Sequence, residues 1–145
     1  MDKVTGFGSR EAMVAALEHA VVPGAPYSVL AVFVLDGLPE FAKQQAAEAS
    51  NEMITRLAQE FERFIGPDGE CYAPRRHEFA VLFTLPFMQV ERILAAAAIA
   101  VRREGAIFEI STSFGYTHLP GKARSPIQAL IVADKRRLTA QRLRG

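Results

Sequence analysis

CYAPRRHEFAVLF, residues 71–83, joins two strand-like runs through a short, highly charged turn. Aromatic and β-branched residues on both sides of the turn suit a pleated sheet, whereas Pro74 cannot donate a ladder hydrogen bond. Three cationic or titratable residues, Arg75, Arg76 and His77, lie between the two runs. The pattern predicts a protruding β-hairpin at 71–83 with an exposed tip.

The composition is that of an ordinary globular domain. The chain has 145 residues, of which 50% are hydrophobic and 23% are charged, and its formal net charge is +1. A near-neutral balance gives no basic footprint for nucleic acid, and no run approaches the roughly 18 apolar residues of a membrane-spanning helix. The single cysteine excludes an internal disulfide and is consistent with a reducing compartment. We therefore expect one cytoplasmic domain over residues 1–145, standing alone or excised from a longer signalling protein, without nucleic-acid binding or membrane insertion.

The rest of the chain predicts helices around a sheet. The predicted strands are residues 27–35, the two arms of the hairpin, of which the second covers 79–85, and residues 107–116. One helix is predicted to begin after Ser9, two to cover residues 39–65, one to cover 90–103, and a last one to begin at Ser125-Pro126. Residues 27–35 are almost continuously apolar, as in a strand buried on both faces. We expect an α+β fold with a central mixed, mainly antiparallel sheet of about five strands covered by helices.

Asp36 directly follows the most apolar predicted strand. Open α/β sheets usually bind ligands beyond the carboxyl ends of their strands, so this carboxylate is a candidate cation ligand. The alternative is a turn or capping residue at the strand end, and the residues alone leave both interpretations open.

Four segments, at residues 2–10, 75–79, 110–115 and 129–134, resemble in their order and spacing the motifs of the GGDEF domain of diguanylate cyclases. This family condenses two GTP molecules into cyclic di-GMP. Residues 2–10, DKVTGFGSR, resemble the family motif Asp-x-Leu-Thr-Gly-Leu-x-Asn-Arg, and RRHEF at residues 75–79 stands where the family has Gly-Gly-Asp/Glu-Glu-Phe. Residues 110–115 resemble its Val-Ser-Ile-Gly strand, and residues 129–134 resemble the Leu-Leu-x-x-Ala-Asp of its last helix. The resemblance covers nearly the whole chain and implies a nucleotidyl cyclase-like fold.

The resemblance also implies that the hairpin signature is degenerate. Arg75 and Arg76 replace two glycines that let the hairpin backbone approach the GTP phosphates. His77 replaces a carboxylate that binds magnesium, a hard cation that prefers oxygen ligands. Glu78 and Phe79 match the last two signature positions. Two-metal phosphate chemistry needs ions fixed about 3.5–4 Å apart, so we expect no catalytic residue here, with Glu78 as a vestige.

Other family contacts have changed as well. Asp36 matches a metal-binding carboxylate of the family, but the second strand-end acid falls at Leu38. The guanine-recognising Asp falls at Asn51, and a phosphate-binding Lys of the last helix falls at Gln141. The inhibitory cyclic di-GMP motif, Arg-x-x-Asp, would occupy residues 66–69 and is absent there. We therefore expect no product binding at an inhibitory site.

Two functional hypotheses follow from the resemblance. The first is a catalytically inactive GGDEF-like domain that binds a protein partner or an adjoining signalling domain in bacterial cyclic di-GMP signalling. The alternative is a GTP-binding sensor that regulates an adjoining domain without making cyclic di-GMP. In that case Asp36 and Asn51 are the candidate nucleotide-binding residues, and Asp36 with Glu78 would hold Mg²⁺ weakly. No cofactor is otherwise required, and a homodimer is compatible with either hypothesis because active family members pair their sites across two subunits.

Two charged clusters carry competing interpretations. The tip formed by Arg75, Arg76 and His77 is either a solvated turn or a contact for a partner or an anion. The last helix carries five basic residues, which we expect to form a solvated face, the alternative being contact with nucleic acid or an anionic membrane. They are Lys135, Arg136, Arg137, Arg142 and Arg144.

Overall fold

The computed structural model describes residues 1–105 and 109–144. In that part of the chain the elements are α1 (Arg10–Ala20), β1 (Ser28–Asp36), α2 (Leu38–Gln44), α3 (Ala47–Ile65), β2 (Gly69–Arg75), β3 (Glu78–Phe83), α4 (Phe87–Ala100), β4 (Arg103–Glu104), β5 (Glu109–Leu119) and α5 (Pro126–Arg144). Hydroxyl groups begin the first and last helices: Ser9 Oγ accepts from the amide of Ala12, and Ser125 Oγ accepts from the amide of Gln128. Both helix starts are confirmed.

The strands form one sheet in the order β2-β3-β1-β5-β4. Every strand pairing is antiparallel, and parallel pairing among the described residues is confined to an isolated bridge between Gly8 and Tyr72. The predicted α+β fold with about five, mainly antiparallel strands is therefore confirmed. Of the strand predicted at 107–116, Ile107 and Phe108 lie outside the described residues, and β5 continues three residues further, to Leu119.

β1 is buried on both faces, as its apolar run predicts. Val29, Ala31 and Phe33 belong to a cluster with apolar residues of α3 and α4. Leu30 and Val32 belong to a second cluster with apolar residues of α1 and α5. Because successive strand residues point to opposite faces, this alternation places the two helical pairs on opposite sides of the sheet.

The hairpin is part of the sheet along its whole length. β3 pairs with β1 from Phe83 to Glu78, and the amide of Leu35 donates to the carbonyl of His77 in the turn. The register of β2 shifts between Tyr72 and Arg75, around a proline that has no amide hydrogen to donate. β3 ends at Phe83, two residues before the predicted end of that strand. The expected protrusion is thus limited to side chains at the tip, because β1 holds the hairpin backbone in place.

None of the described helices is both long enough and apolar enough to cross a membrane.

Candidate functional site

The N-terminal motif forms a loop that clamps β2 to α3. Asp2 Oδ2 accepts hydrogen bonds from the amide and the hydroxyl of Thr5, at 2.8 and 2.7 Å. Burial alone would raise the pKa of Asp2, but the hydrogen bonds from Thr5 outweigh it, and the pKa lies below its usual value. Gly8 exchanges backbone hydrogen bonds with β2, and Val4 accepts a hydrogen bond from Thr55 of α3 at 2.9 Å. The motif therefore has a structural role in positioning the strand that leads into the hairpin tip.

A tight turn places the signature residues at the end of the β2–β3 hairpin. Arg75 pairs with Glu78 across the ladder, and Arg76 and His77 form the turn between them. Arg75 Nε lies 3.9 Å from Glu78 Oε2, but the Arg75 side chain is 72% exposed, so this ion pair stabilises the tip only weakly. Arg75 and Arg76 are the exposed residues of the tip.

Arg76 connects the tip to α3. Its Nη2 donates a hydrogen bond to Asn51 Oδ1 at 3.2 Å. The structure thus brings together two residues that the family resemblance assigns to opposite ends of a nucleotide, one at the phosphates and one at the guanine. A guanidinium occupies the space between the hairpin turn and the first turns of α3.

His77 points into the protein rather than outward. Its Nε2 is buried without a hydrogen-bond partner among the described residues. Burial lowers the pKa of His77, the nearby Arg76 lowers it further, and Glu40 of α2 acts in the opposite direction. The expected exposure of the whole tip is therefore wrong for this side chain, whose Nε2 has no contact with solvent.

Glu78 lies on the α5 side of the sheet. It lines a cavity of about 220 Å³ together with Arg10, Arg75, Ile131 and Asp134. Burial raises the pKa of Glu78, with Arg75 acting against the rise and Asp134 adding to it. A raised pKa disfavours the ionised carboxylate, which is the form that binds a hard cation.

Asp36 ends β1 at a different cavity. It pairs with Ser111 and lines a cavity of about 680 Å³ with Arg102, Glu109 and Gln141. Gly37 follows with a φ of 88°, and a Cβ there would lie against the carbonyl oxygen of Glu109, so only glycine fits. Asp36 and Glu78 therefore line separate cavities.

The position of the family's second strand-end acid is part of the core. Leu38 is fully buried and packs in the same apolar cluster as Phe79. Among the described residues, no group of three or more His, Cys, Asp or Glu side chains is arranged to hold a metal ion.

Sequence reasoning missed a polar network between α5 and β5. Arg137 Nε lies 2.8 Å from Asp134 Oδ1, and its Nη1 donates to Ser113 Oγ at 2.9 Å. The side chain of Arg137 is only 11% exposed, so the prediction that it belongs to a solvated basic face is wrong. The signal was the i, i+3 spacing from Asp134 combined with Gly115, which lets α5 approach β5 closely. Lys135, Arg136 and Arg142 are exposed as expected, and the side chain of Arg144 lies outside the described part.

Comparison with known proteins gives matches in structure but not in sequence. No protein-family model matches the chain, and none of the curated proteins matches it. The diguanylate cyclase SiaD from Pseudomonas aeruginosa, solved in complex with its activator SiaC, superposes with a TM-score of 0.83 at 19% identity. That match covers 97% of this chain but 57% of SiaD, so the chain spans little more than half of that protein.

Two isolated GGDEF domains match over most of their length. The domain of DgcB from Caulobacter crescentus, in complex with c-di-GMP, has a TM-score of 0.82 at 21% identity. The match covers 98% of this chain and 87% of the DgcB chain. The GGDEF domain of FimX from Pseudomonas aeruginosa has a TM-score of 0.80 at 22% identity, and the match covers 98% of this chain and 93% of the FimX chain. These similarities, with the antiparallel sheet and its covering helices, establish that the chain has the fold of GGDEF domains.

Proposed function

We propose that this chain is a catalytically inactive GGDEF-like domain that serves as a protein-interaction or regulatory module in bacterial cyclic di-GMP signalling, in the cytoplasm. The observation that carries the proposal is the hydrogen bond between Arg76 and Asn51. A nucleotide lying between the hairpin turn and α3 would have to displace this guanidinium. The turn that would need a bare backbone near the phosphates carries two arginines instead.

The residues at the metal positions support the same conclusion. His77 offers nitrogen in place of a carboxylate, and its Nε2 is buried. Leu38 offers no ligand atom, and Asp36 lines a cavity that Glu78 does not share. Phosphoryl transfer by two metal ions requires both ions to be fixed by oxygen ligands at the reacting centre.

Partner binding is a role that a GGDEF-like fold can serve without the residues that phosphoryl transfer requires. SiaD, which has this fold in part of its chain, was solved in complex with its activator SiaC. By analogy, the present chain acts through contact with a protein partner or an adjoining domain.

Incubation with GTP and either Mg²⁺ or Mn²⁺, followed by chromatography for cyclic di-GMP, tests the proposal. We expect no product above the level of a buffer control. Sustained product formation that Asp36→Ala abolishes would overturn it.

A second candidate, a GTP-binding sensor, draws support from the cavity at Asp36. This cavity of about 680 Å³ has two carboxylates, Asp36 and Glu109, and a cation, Arg102, in its walls. Calorimetry with GTP and Mg²⁺ distinguishes the two functions. Heat of binding that disappears in Asp36→Ala would favour the sensor, whereas the absence of heat at millimolar nucleotide would eliminate it.

A further inference from the structure

The outer edge of β5 is paired with another strand over only a short stretch of the described structure. β4 pairs with β5 only at Glu109 and Ile110. From residue 111 to residue 119, the described structure has β1 on the inner side of β5 and no strand on the outer side. Such an edge presents unpaired amide and carbonyl groups to any segment that reaches it in an extended conformation.

A groove follows this edge between α4 and α5. One cavity of about 640 Å³ is lined by the consecutive residues Phe114, Gly115 and Tyr116, with Phe87 from α4 and Arg136 from α5. Consecutive strand residues point to opposite faces, so all three line one cavity only where the strand edge itself forms the wall. The groove is therefore open to the main chain of β5.

A second cavity lengthens the groove. It measures about 630 Å³, and His118 and Arg136 line both cavities, so the two cavities are adjacent. Thr117 extends the β5 wall, and Lys122 adds a cation at this end. The groove thus runs along the outer edge from Phe114 to the end of the strand.

One hydrogen bond indicates which main-chain groups face the groove. Arg136 Nη1 donates to the carbonyl oxygen of Tyr116 at 3.0 Å, so that carbonyl points away from β1. In an antiparallel ladder every second residue directs its amide and carbonyl to the same side. Phe114 and His118 therefore share this orientation, and a docked strand would replace the guanidinium at Tyr116.

The two walls of the groove differ in chemistry. On the α4 side, the ring centroid of Phe87 lies 5.1 Å from the ring centroid of Tyr116 and 4.7 Å from that of His118. Tyr27 extends this aromatic wall through a 2.6 Å hydrogen bond to His118. The charged residues that line the two cavities are Arg136 of α5 and Lys122 of the loop before it, and no acidic residue lines either cavity among the described residues. Glu91 of α4 lies at the aromatic wall, where it accepts a 3.4 Å hydrogen bond from the hydroxyl of Tyr116.

We propose that the outer edge of β5 docks an extended, acidic peptide segment of a partner protein by strand addition. The partner's apolar side chains pack on the aromatic wall, and its alternate carboxylates bind Arg136 and Lys122. A segment with alternating apolar and acidic residues matches both walls, because side chains of a strand alternate between faces. The inference rests on the proposed role as an interaction module and assigns the surface and the partner chemistry.

Charge disfavours a second copy of this chain as the occupant. Edge-to-edge pairing of two β5 strands would bring the cations Arg136 and Lys122 of both copies to one interface. Like charges held together at an interface weaken association.

Fluorescence anisotropy with the full chain tests the proposal. The probe is a fluorescein-labelled peptide of alternating Val and Glu, long enough to pair with residues 112–118. We expect saturable binding that Arg136→Glu weakens by roughly tenfold or more, as for the loss of a charge-assisted hydrogen bond. Lys135→Glu, the same charge change at an exposed position outside the groove, should leave the affinity unchanged. Absence of saturable binding, or equal binding by Arg136→Glu, would overturn the proposal.

A modified peptide tests the strand geometry without changing the protein. The same peptide methylated at alternate backbone nitrogens keeps its charges but cannot form the ladder, so we expect it not to bind. Equal binding of both peptides would overturn strand addition. Sedimentation velocity gives a further check, because a dimer whose affinity Arg136→Glu changes would assign the edge to a second copy instead.

These measurements contain no nucleotide. A negative binding result would therefore contradict the docking edge without bearing on the proposal of an inactive module. Synthesis of cyclic di-GMP would contradict the inactive module without bearing on peptide binding at the edge.

Discussion

Arg76 and Asn51 are joined by a hydrogen bond of 3.2 Å between guanidinium and amide, which ties the hairpin turn to α3. A glycine at position 76 would have no side chain to make this bond, and it would leave the backbone of the turn open to a ligand. The substitution therefore has two consequences. It removes an open approach to the turn, and it adds a contact that holds the turn against α3.

Restoring the family signature should restore nucleotide binding. The triple variant Arg75→Gly, Arg76→Gly, His77→Asp removes both arginine side chains from the turn and places a carboxylate beside the end of β1. We expect a clear increase in melting temperature with GTP and Mn²⁺, which differential scanning fluorimetry measures, because a ligand that binds only the folded state stabilises it.

The matched control replaces the same residues without rebuilding the site. Arg75→Ala, Arg76→Ala, His77→Asn removes both positive charges but supplies neither glycine nor carboxylate. We expect no nucleotide-dependent shift from this control. An equal shift in the two triple variants would mean that loss of the arginines alone opens the site.

Glu78 should make the protein less stable as the pH rises. Burial raises its folded-state pKa above the ordinary value of 4.5, so the folded state binds the proton more tightly than the unfolded state. The resulting stabilisation is complete below pH 4.5 and is lost as the pH rises through the folded pKa. We therefore expect Glu78→Gln to gain stability relative to wild type from pH 4.5 to neutral pH, as measured by urea unfolding. A constant difference between the two proteins over this range would contradict the buried environment of Glu78.

His77 should have the opposite effect over a neighbouring pH range. Burial lowers its folded-state pKa below 6.5, so the unfolded state binds the proton more tightly. Its favourable contribution is complete above pH 6.5 and declines as the pH falls through the folded pKa. His77→Gln should remove this decline in unfolding free energy. Since Glu78 acts in the other direction, the measurement is best made in the Glu78→Gln background, and an unchanged slope there would contradict the prediction.

Local patterns were sufficient for the framework of the fold. The apolar run at residues 27–35 predicted a strand buried on both faces, and Ser9 and Ser125 predicted helix starts, because burial periodicity and capping depend on neighbouring residues. The Arg76–Asn51 hydrogen bond and the buried Arg137 were not predictable in this way. Both depend on how separate elements pack, and a pattern of charges along one helix does not say which charge lies against the sheet.

Replacing Gly115 of β5 should destabilise the fold. A Cβ at this position would clash with the amide nitrogen of Arg137 and the carbonyl oxygen of Ala133, both of them backbone atoms of α5. Gly115→Ala therefore has to push the helix away from the sheet, and we expect a loss of about 2–3 kcal/mol in unfolding free energy, measured with urea. Gly24→Ala is the control for backbone strain without a clash. Gly24 has a φ of 87° and open space around its Cβ position, so we expect a loss of only about 1 kcal/mol there. If Gly115→Ala costs no more than Gly24→Ala, α5 is free to shift on β5, and the close packing that buries Arg137 is not a requirement of the fold.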